Sequence, residues 1–166
     1  MLLIGRTHLY TGLLAGAGLA CALDSALVPS ALMVTAGAIG GVLPELDHRK
    51  SKITKRLGIF GFFSSRLFRH RGVLHTPVFY ITISLLLLFC AGQSMPRKFV
   101  IYGLLAGELS HLLLDAMTPK GIQLLWPFYR RHISLLPIQT DGTMDHVIGR
   151  LSLIAAVFLV IDMLIF

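Results

Sequence analysis

Residues 70–92 read HRGVLHTPVFYITISLLLLFCAG. The stretch changes character at Thr76. Before it stand His70, Arg71 and His75; after it the chain runs to Gly92 without a charge. An uncharged run rich in leucine and β-branched residues predicts a lipid-facing helix, since about 20 apolar residues cross a bilayer. Histidine and arginine are costly beside lipid. Their place at the edge of this run asks for a structural or a chemical reason.

The rest of the chain sets the same class. It has 166 residues, of which 55% are hydrophobic and only 14% charged, and its mean hydropathy is +0.76. That is the size of one domain, 1–166, and too apolar for an ordinary soluble one. The expectation is an all-α integral membrane bundle of about five transmembrane helices. The spans fall at 7–27, 30–46, 74–92, 97–116 and 147–166, with 74–92 the clearest. The second carries TAGAIGG at 35–41, which suits close helix packing. The first resembles a signal peptide in having Arg6 before an apolar run, but it reads better as an uncleaved span. Residues 49–69 and 122–138 mix aromatic and aliphatic groups with cations and read as amphipathic, interfacial segments.

Charge gives an orientation. The net charge is +7. With the N-terminus in the cytoplasm, all Lys and Arg except Arg97 and Lys98 fall on the cytoplasmic side, as the positive-inside rule expects. The basic loops then serve as topology signals and contacts for anionic lipid. No nucleic-acid-binding motif accompanies them, so nucleic acid is not an expected partner. Cys21 and Cys90 lie inside spans without metal or redox spacing and read as packing residues.

On this topology the unusual polar residues share one membrane face. His8 opens the first span. Glu45, Asp47 and His48 close the second, His70 and His75 precede the third, and Asp145 and His146 open the fifth. In the fourth, Glu108, His111 and Asp115 are spaced by three and four residues, so they lie on one helix face. His and Asp one turn apart can ligate a single ion, with Glu108 a turn deeper to orient them. Imidazoles with carboxylates are ligands for zinc, and for manganese or iron. Taken singly, each group has a bland explanation as a cap, a topology charge or a packing hydrogen bond; their convergence favours a metal site. No Gly-x-Ser-x-Gly elbow is present.

These motifs resemble the YdjM family of bacterial inner-membrane proteins, to which metal-dependent hydrolase activity is ascribed. The resemblance runs from His8 to about residue 150. It rests on His8, on LPELDHRKS at 43–51, on HRGVLHTP at 70–77 and on SHLLLDAMTPKGIQLLWP at 110–127. The chain departs from the family pattern at Glu45, where an Asp is expected, at Arg49 for Pro and at Leu74 for Thr. A late family Glu falls on His146, beside Asp145. HLLLD and the order of candidate ligands are also similar, more distantly, to zinc-dependent phospholipase C.

What the residues and the resemblance together imply is a hydrolase of the bacterial inner membrane, its metal site at the cytoplasmic face. The candidate metal ligands are His8, Asp47, His48, His70, His75, His111, Asp115, Asp145 and His146. They would hold one divalent ion or more, zinc first. Glu45 and Glu108 are the candidate base or supporting carboxylates. Arg71 is the candidate group for a phosphoester, which it would hold bidentately. The expected partner is a membrane lipid or lipid-linked substrate; the oligomeric state is open. The alternatives are a metal-stapled scaffold and a metal transporter or sensor. A transporter would need polar groups through the midplane, and only Glu108 approaches that depth.

Overall fold

A computed structural model describes residues 4–47, Gly58 and residues 72–165. Among the described residues five α-helices form, which we number α1 (Ile4–Ala22), α2 (Leu27–Val42), α3 (Pro77–Ala91), α4 (Met95–Ala116) and α5 (Thr143–Ile165). Short 3-10 turns, Leu43–Asp47 and Val73–His75, follow α2 and precede α3. Apart from an isolated antiparallel bridge between Ile122 and Ile133, no β-structure occurs among these residues.

Local chemistry sets the helix ends. The first helix stops before the expected residue 27 because Asp24 takes a left-handed conformation, φ 46°, which aspartate tolerates better than most residues. Its amide and that of Ser25 bond back to Cys21 and Ala20. The Ser30 hydroxyl then donates to the carbonyls of Ser25 and Ala26, tying the turn to the start of α2. At α3, the Thr76 hydroxyl accepts from the Phe79 amide at 3.4 Å and Pro77 occupies the first turn, as N-terminal capping favours. Gly92, φ 57°, ends the helix.

These two stops leave α3 with 15 residues, about 22 Å at ~1.5 Å per residue, against a hydrocarbon core of about 30 Å. The run that looks clearest in the sequence thus gives the shortest helix. Among the described residues, the segments long and apolar enough to cross a membrane are Leu27–Leu46, Met95–Ala116 and Thr143–Ile165. Leu86 and Phe89 of α3 and Phe158 and Leu164 of α5 are exposed, as lipid-facing side chains would be.

Glycine decides how the helices meet. Gly12 and Gly16 of α1 face Gly37 and Gly41 of α2, and Gly107 of α4 also abuts Gly37 and Gly41. A Cβ on Gly12 or Gly107 would collide with the Gly37 carbonyl. The three backbones therefore approach closely enough for α2 to be held between α1 and α4, the small-residue packing that works without a hydrophobic drive between helices. Gly107→Ala is expected to cost about 1–3 kcal/mol through overpacking, read as a lower thermal midpoint in detergent. Gly18→Ala, with open space around its Cβ, should leave the midpoint unchanged or raise it slightly.

Helix α5 packs on α1, and α3 packs on α4. A small apolar core of Tyr80, Leu112, Ala116 and Ile122 joins α3 to the C-terminal end of α4. The loop after α4 folds back over that end. Leu135 and Ile138 donate their amides to the carbonyls of Ala116 and Met117, at 2.7 and 3.0 Å, which satisfies groups a helix terminus leaves open. Residues 122–138 form turns rather than a helix, yet they expose Leu125, Phe128 and Tyr129 beside Arg130 and Arg131. The other expected interfacial segment, 49–69, lies outside the described residues except for Gly58.

Candidate metal centre

The start of α1, the turn after α2, the turn before α3 and the end of α4 meet at one end of the bundle, and each contributes a polar side chain. His8 comes from α1, Glu45 from the turn Leu43–Asp47, His75 from the turn Val73–His75, and His111 and Asp115 from α4. Four of these are buried: His8 is 4% exposed, His75 and His111 1%, and Asp115 6%. Imidazoles and a carboxylate withdrawn from water this far need partners.

Asp115 is the hub. Its Oδ2 lies 3.4 Å from His75 Nε2 and 3.8 Å from His111 Nε2, and its Oδ1 lies 3.8 Å from His8 Nε2. The His8 and His111 rings stack with centroids 3.8 Å apart, and the His75 ring meets His111 edge-on at 5.5 Å. Two donor sets result, His75–His111–Asp115 and His8–Glu45–His111; within each, the candidate ligand atoms lie within 4.8 Å of one another. Donor atoms around a tetrahedral zinc with bonds near 2.0–2.1 Å stand about 3.4 Å apart. The nitrogen–oxygen separations here are at or slightly above that value, so the residues fit a small divalent cation.

One contact settles which nitrogen is available. His111 Nδ1 lies 2.8 Å from the Gly41 carbonyl. A carbonyl only accepts, so Nδ1 carries the proton and Nε2 keeps its lone pair towards Asp115. A backbone carbonyl that fixes the tautomer in this way is the usual support of a metal-ligating histidine. Because only one His111 nitrogen remains, the two donor sets describe one centre that shares His111. The glycine packing permits this contact: a Cβ on Gly107 would strike the Gly37 carbonyl and the Gly41 amide nitrogen, so α4 and α2 could not approach as they do.

The remaining candidates are placed as follows. Glu108 is buried, one turn before His111, but belongs to neither donor set. Asp145 lines a cavity of about 30 Å³ beside His8 and Asp115. Its Oδ2 accepts from the Asp141 amide at 2.9 Å and its carbonyl accepts from Thr7 at 3.4 Å. His146 stands apart from the cluster, about one-third exposed, with Nε2 3.6 Å from Asp141 Oδ1. Adjacent helix positions point about 100° apart, so when Asp145 faces the cavity His146 cannot. Asp47 closes the turn after α2. His48, His70 and Arg71 lie outside the described residues.

Sequence reasoning left out the Gly41 carbonyl and Thr7. A backbone acceptor has no signature in sequence; the one hint was the Gly-Gly pair at 40–41, read there as packing alone. Glu45 was expected as a base or supporting carboxylate, and the geometry adds it to a set of potential ligands.

Comparison with known proteins agrees with the membrane architecture. Residues 3–165 match the family model described as YdjM inner membrane protein. The chain is 35% identical over 123 residues to the uncharacterized protein YvsG of Bacillus subtilis, covering 74% of this chain and 72% of that one. It is 33% identical over 125 residues to the inner membrane protein YdjM of Escherichia coli, covering 74% of this chain and 60% of that protein. Against the inner membrane protein YbcI of E. coli it is 35% identical over 127 residues, with 74% and 66% covered. No solved structure matches the chain. The chain belongs to the YdjM family of membrane proteins.

Proposed function

We propose that this YdjM-family membrane protein is a metal-dependent hydrolase acting on a lipid or lipid-linked phosphoester at the cytoplasmic face. The observation that carries the reading is the meeting of three imidazoles and the Asp115 carboxylate, from three separate parts of the chain, in one buried cluster. His75, His111 and Asp115 would hold the ion, with His8 and Glu45 completing the donor set; zinc suits these donors best, and manganese or iron also accept them. When bound, such an ion supplies Lewis acidity and a water acidified towards neutral pH.

The chain's own groups do the rest. Gly41 holds His111 in the productive tautomer. The cavity between His8, Asp115 and Asp145, walled also by Leu114, Ile138 and Ile148, exceeds the roughly 10–15 Å³ one water needs on this measure, and the polar groups among its lining could position a water. Glu45, the least buried of the group, would take a proton wherever His8 completes the donor set without it. Arg71 would hold the phosphoryl oxygens with its planar fork. The exposed Phe128 and Tyr129 beside Arg130 and Arg131 would set the centre at headgroup depth, and the charge of the basic loops supports a cytoplasmic orientation for that face.

One observation favours a second reading, a metal-stapled scaffold without turnover: the cluster is almost wholly buried, and structural metal sites are closed whereas catalytic ones keep an open position. Metal-dependent turnover by the purified protein against phospholipids and polyprenyl phosphates separates the two. Release of phosphate or headgroup that stops on chelation supports the hydrolase; metal retention with no turnover of either class supports the scaffold. Arg71→Lys keeps the charge but loses the fork. It is expected to lower turnover by about tenfold, in line with the ~1.5–3 kcal/mol of a charge-assisted hydrogen bond, with bound metal unchanged.

A further inference from the structure

At the end of the bundle opposite the metal cluster, an apolar groove of about 520 Å³ opens between α2, α3 and α4. Leu32, Leu87, Cys90, Val100 and Leu104 line it, and Arg97 completes its rim. His111 lies 14 residues further along α4, roughly 21 Å away at ~1.5 Å per residue. The α3–α4 pair that forms two of its walls is joined by a short turn, Ser94 donating its amide to the Ala91 carbonyl, at this end, and by the packing of Tyr80 on Leu112 and Ala116 at the site end. Its volume falls in the range of a specific ligand pocket, about 300–1,000 Å³.

Apolar walls on the side of a membrane bundle call for a hydrocarbon chain; the charge at the rim selects the headgroup. Arg97 sits in the first turn of α4, where the helix dipole already places about half a positive charge. That turn contains no acidic residue, Lys98 follows directly, and among the described residues no carboxylate pairs with Arg97. Helix terminus and guanidinium therefore add to one positive field with no internal compensation. A lipid phosphate neutralises it and suits the guanidinium fork. A choline or ethanolamine headgroup would bring its own cation into the same field.

We infer that the groove between α2, α3 and α4 holds one acyl chain of an anionic glycerophospholipid whose phosphate is bound by Arg97. The site is independent of the metal cluster. Native mass spectrometry of the full chain, titrated with palmitoyl-oleoyl phosphatidylglycerol or the matching phosphatidylcholine, tests it. Wild type should bind phosphatidylglycerol at least about fivefold more tightly, the worth of one cation at a lipid surface. Arg97→Ala, at an exposed position, should bring the ratio close to one with bound metal unchanged. Cys90→Trp, which obstructs the groove wall, should weaken binding of both lipids. Equal binding of the two lipids by wild type, a ratio unaltered in Arg97→Ala, or undiminished binding of both in a folded Cys90→Trp protein would each overturn the proposal.

Discussion

Purified His111→Ala protein is expected to bind a divalent metal at least about 100-fold more weakly than wild type, by titration with a competing chelator. The expectation follows from the position of His111 in both donor sets. Removing a group that merely supports a ligand costs about 10–100-fold in metal affinity; removing a ligand shared by all the donors should cost more. His111 also links α2 to α4 through the Gly41 carbonyl, so part of any loss could reflect packing. His111→Gln separates the effects, since its amide can still donate to Gly41 while offering a poor ligand. Folded His111→Gln protein, checked by its elution profile and thermal midpoint, should lose metal as His111→Ala does. His146→Ala should keep wild-type affinity, because His146 pairs with Asp141 away from the cluster.

Asp115→Asn is the second large effect. The substitution is nearly isosteric but removes the one carboxylate that lies within 4 Å of all three imidazoles. In the metal-free protein it should be well tolerated, since it takes a buried charge out of a low-dielectric site. With metal, the loss of an anionic ligand should weaken binding and lower turnover by at least about 100-fold, as first-rank electrostatic groups commonly do. The informative pattern is the opposition: thermal stability without metal kept or raised, stabilisation by added metal lost. Binding that stabilises the native state raises the midpoint in proportion to affinity, so a metal-dependent shift in wild type that vanishes in Asp115→Asn reads the site directly. An equal shift in both proteins would place the metal elsewhere.

Much of the architecture was legible in the sequence because lipid imposes simple rules. Long uncharged runs gave the helices, and the helix ends carrying His8, His75, His111 and Asp115 could be assigned to one face by counting crossings. The i, i+4 spacing placed His111 and Asp115 together without any tertiary information. Three features were not legible. The length of α3 depends on Thr76 and Pro77 at one end and Gly92 at the other, which cut an apolar run that composition alone would extend. The choice between Asp145 and His146 depends on the rotation of α5, fixed by Thr7 and Gly149 at its contact with α1, and a sequence does not state the phase of a helix at its first turn. The orienting acceptor of His111 is a backbone carbonyl, exposed to its partner only because Gly37, Gly41 and Gly107 let three helices meet at backbone distance.

The departures from the family pattern can be weighed in the same terms. Glu45 for Asp adds one methylene, and the carboxylate still joins His8 and His111 in a donor set. His146 for Glu pairs with Asp141 and is about one-third exposed, so the change falls outside the cluster, while the neighbouring Asp145 lines the cavity beside it.

The central claim is that the cluster of His8, His75, His111 and Asp115 is a metal centre. It is tested most directly by elemental analysis of the purified full chain, prepared without chelator and again after reconstitution with zinc, manganese or iron(II). Close to one ion per chain is expected at this centre, lost in His111→Gln and Asp115→Asn and retained in His146→Ala. Less than about a tenth of an ion per chain with every metal after reconstitution, in protein that is folded, would contradict it.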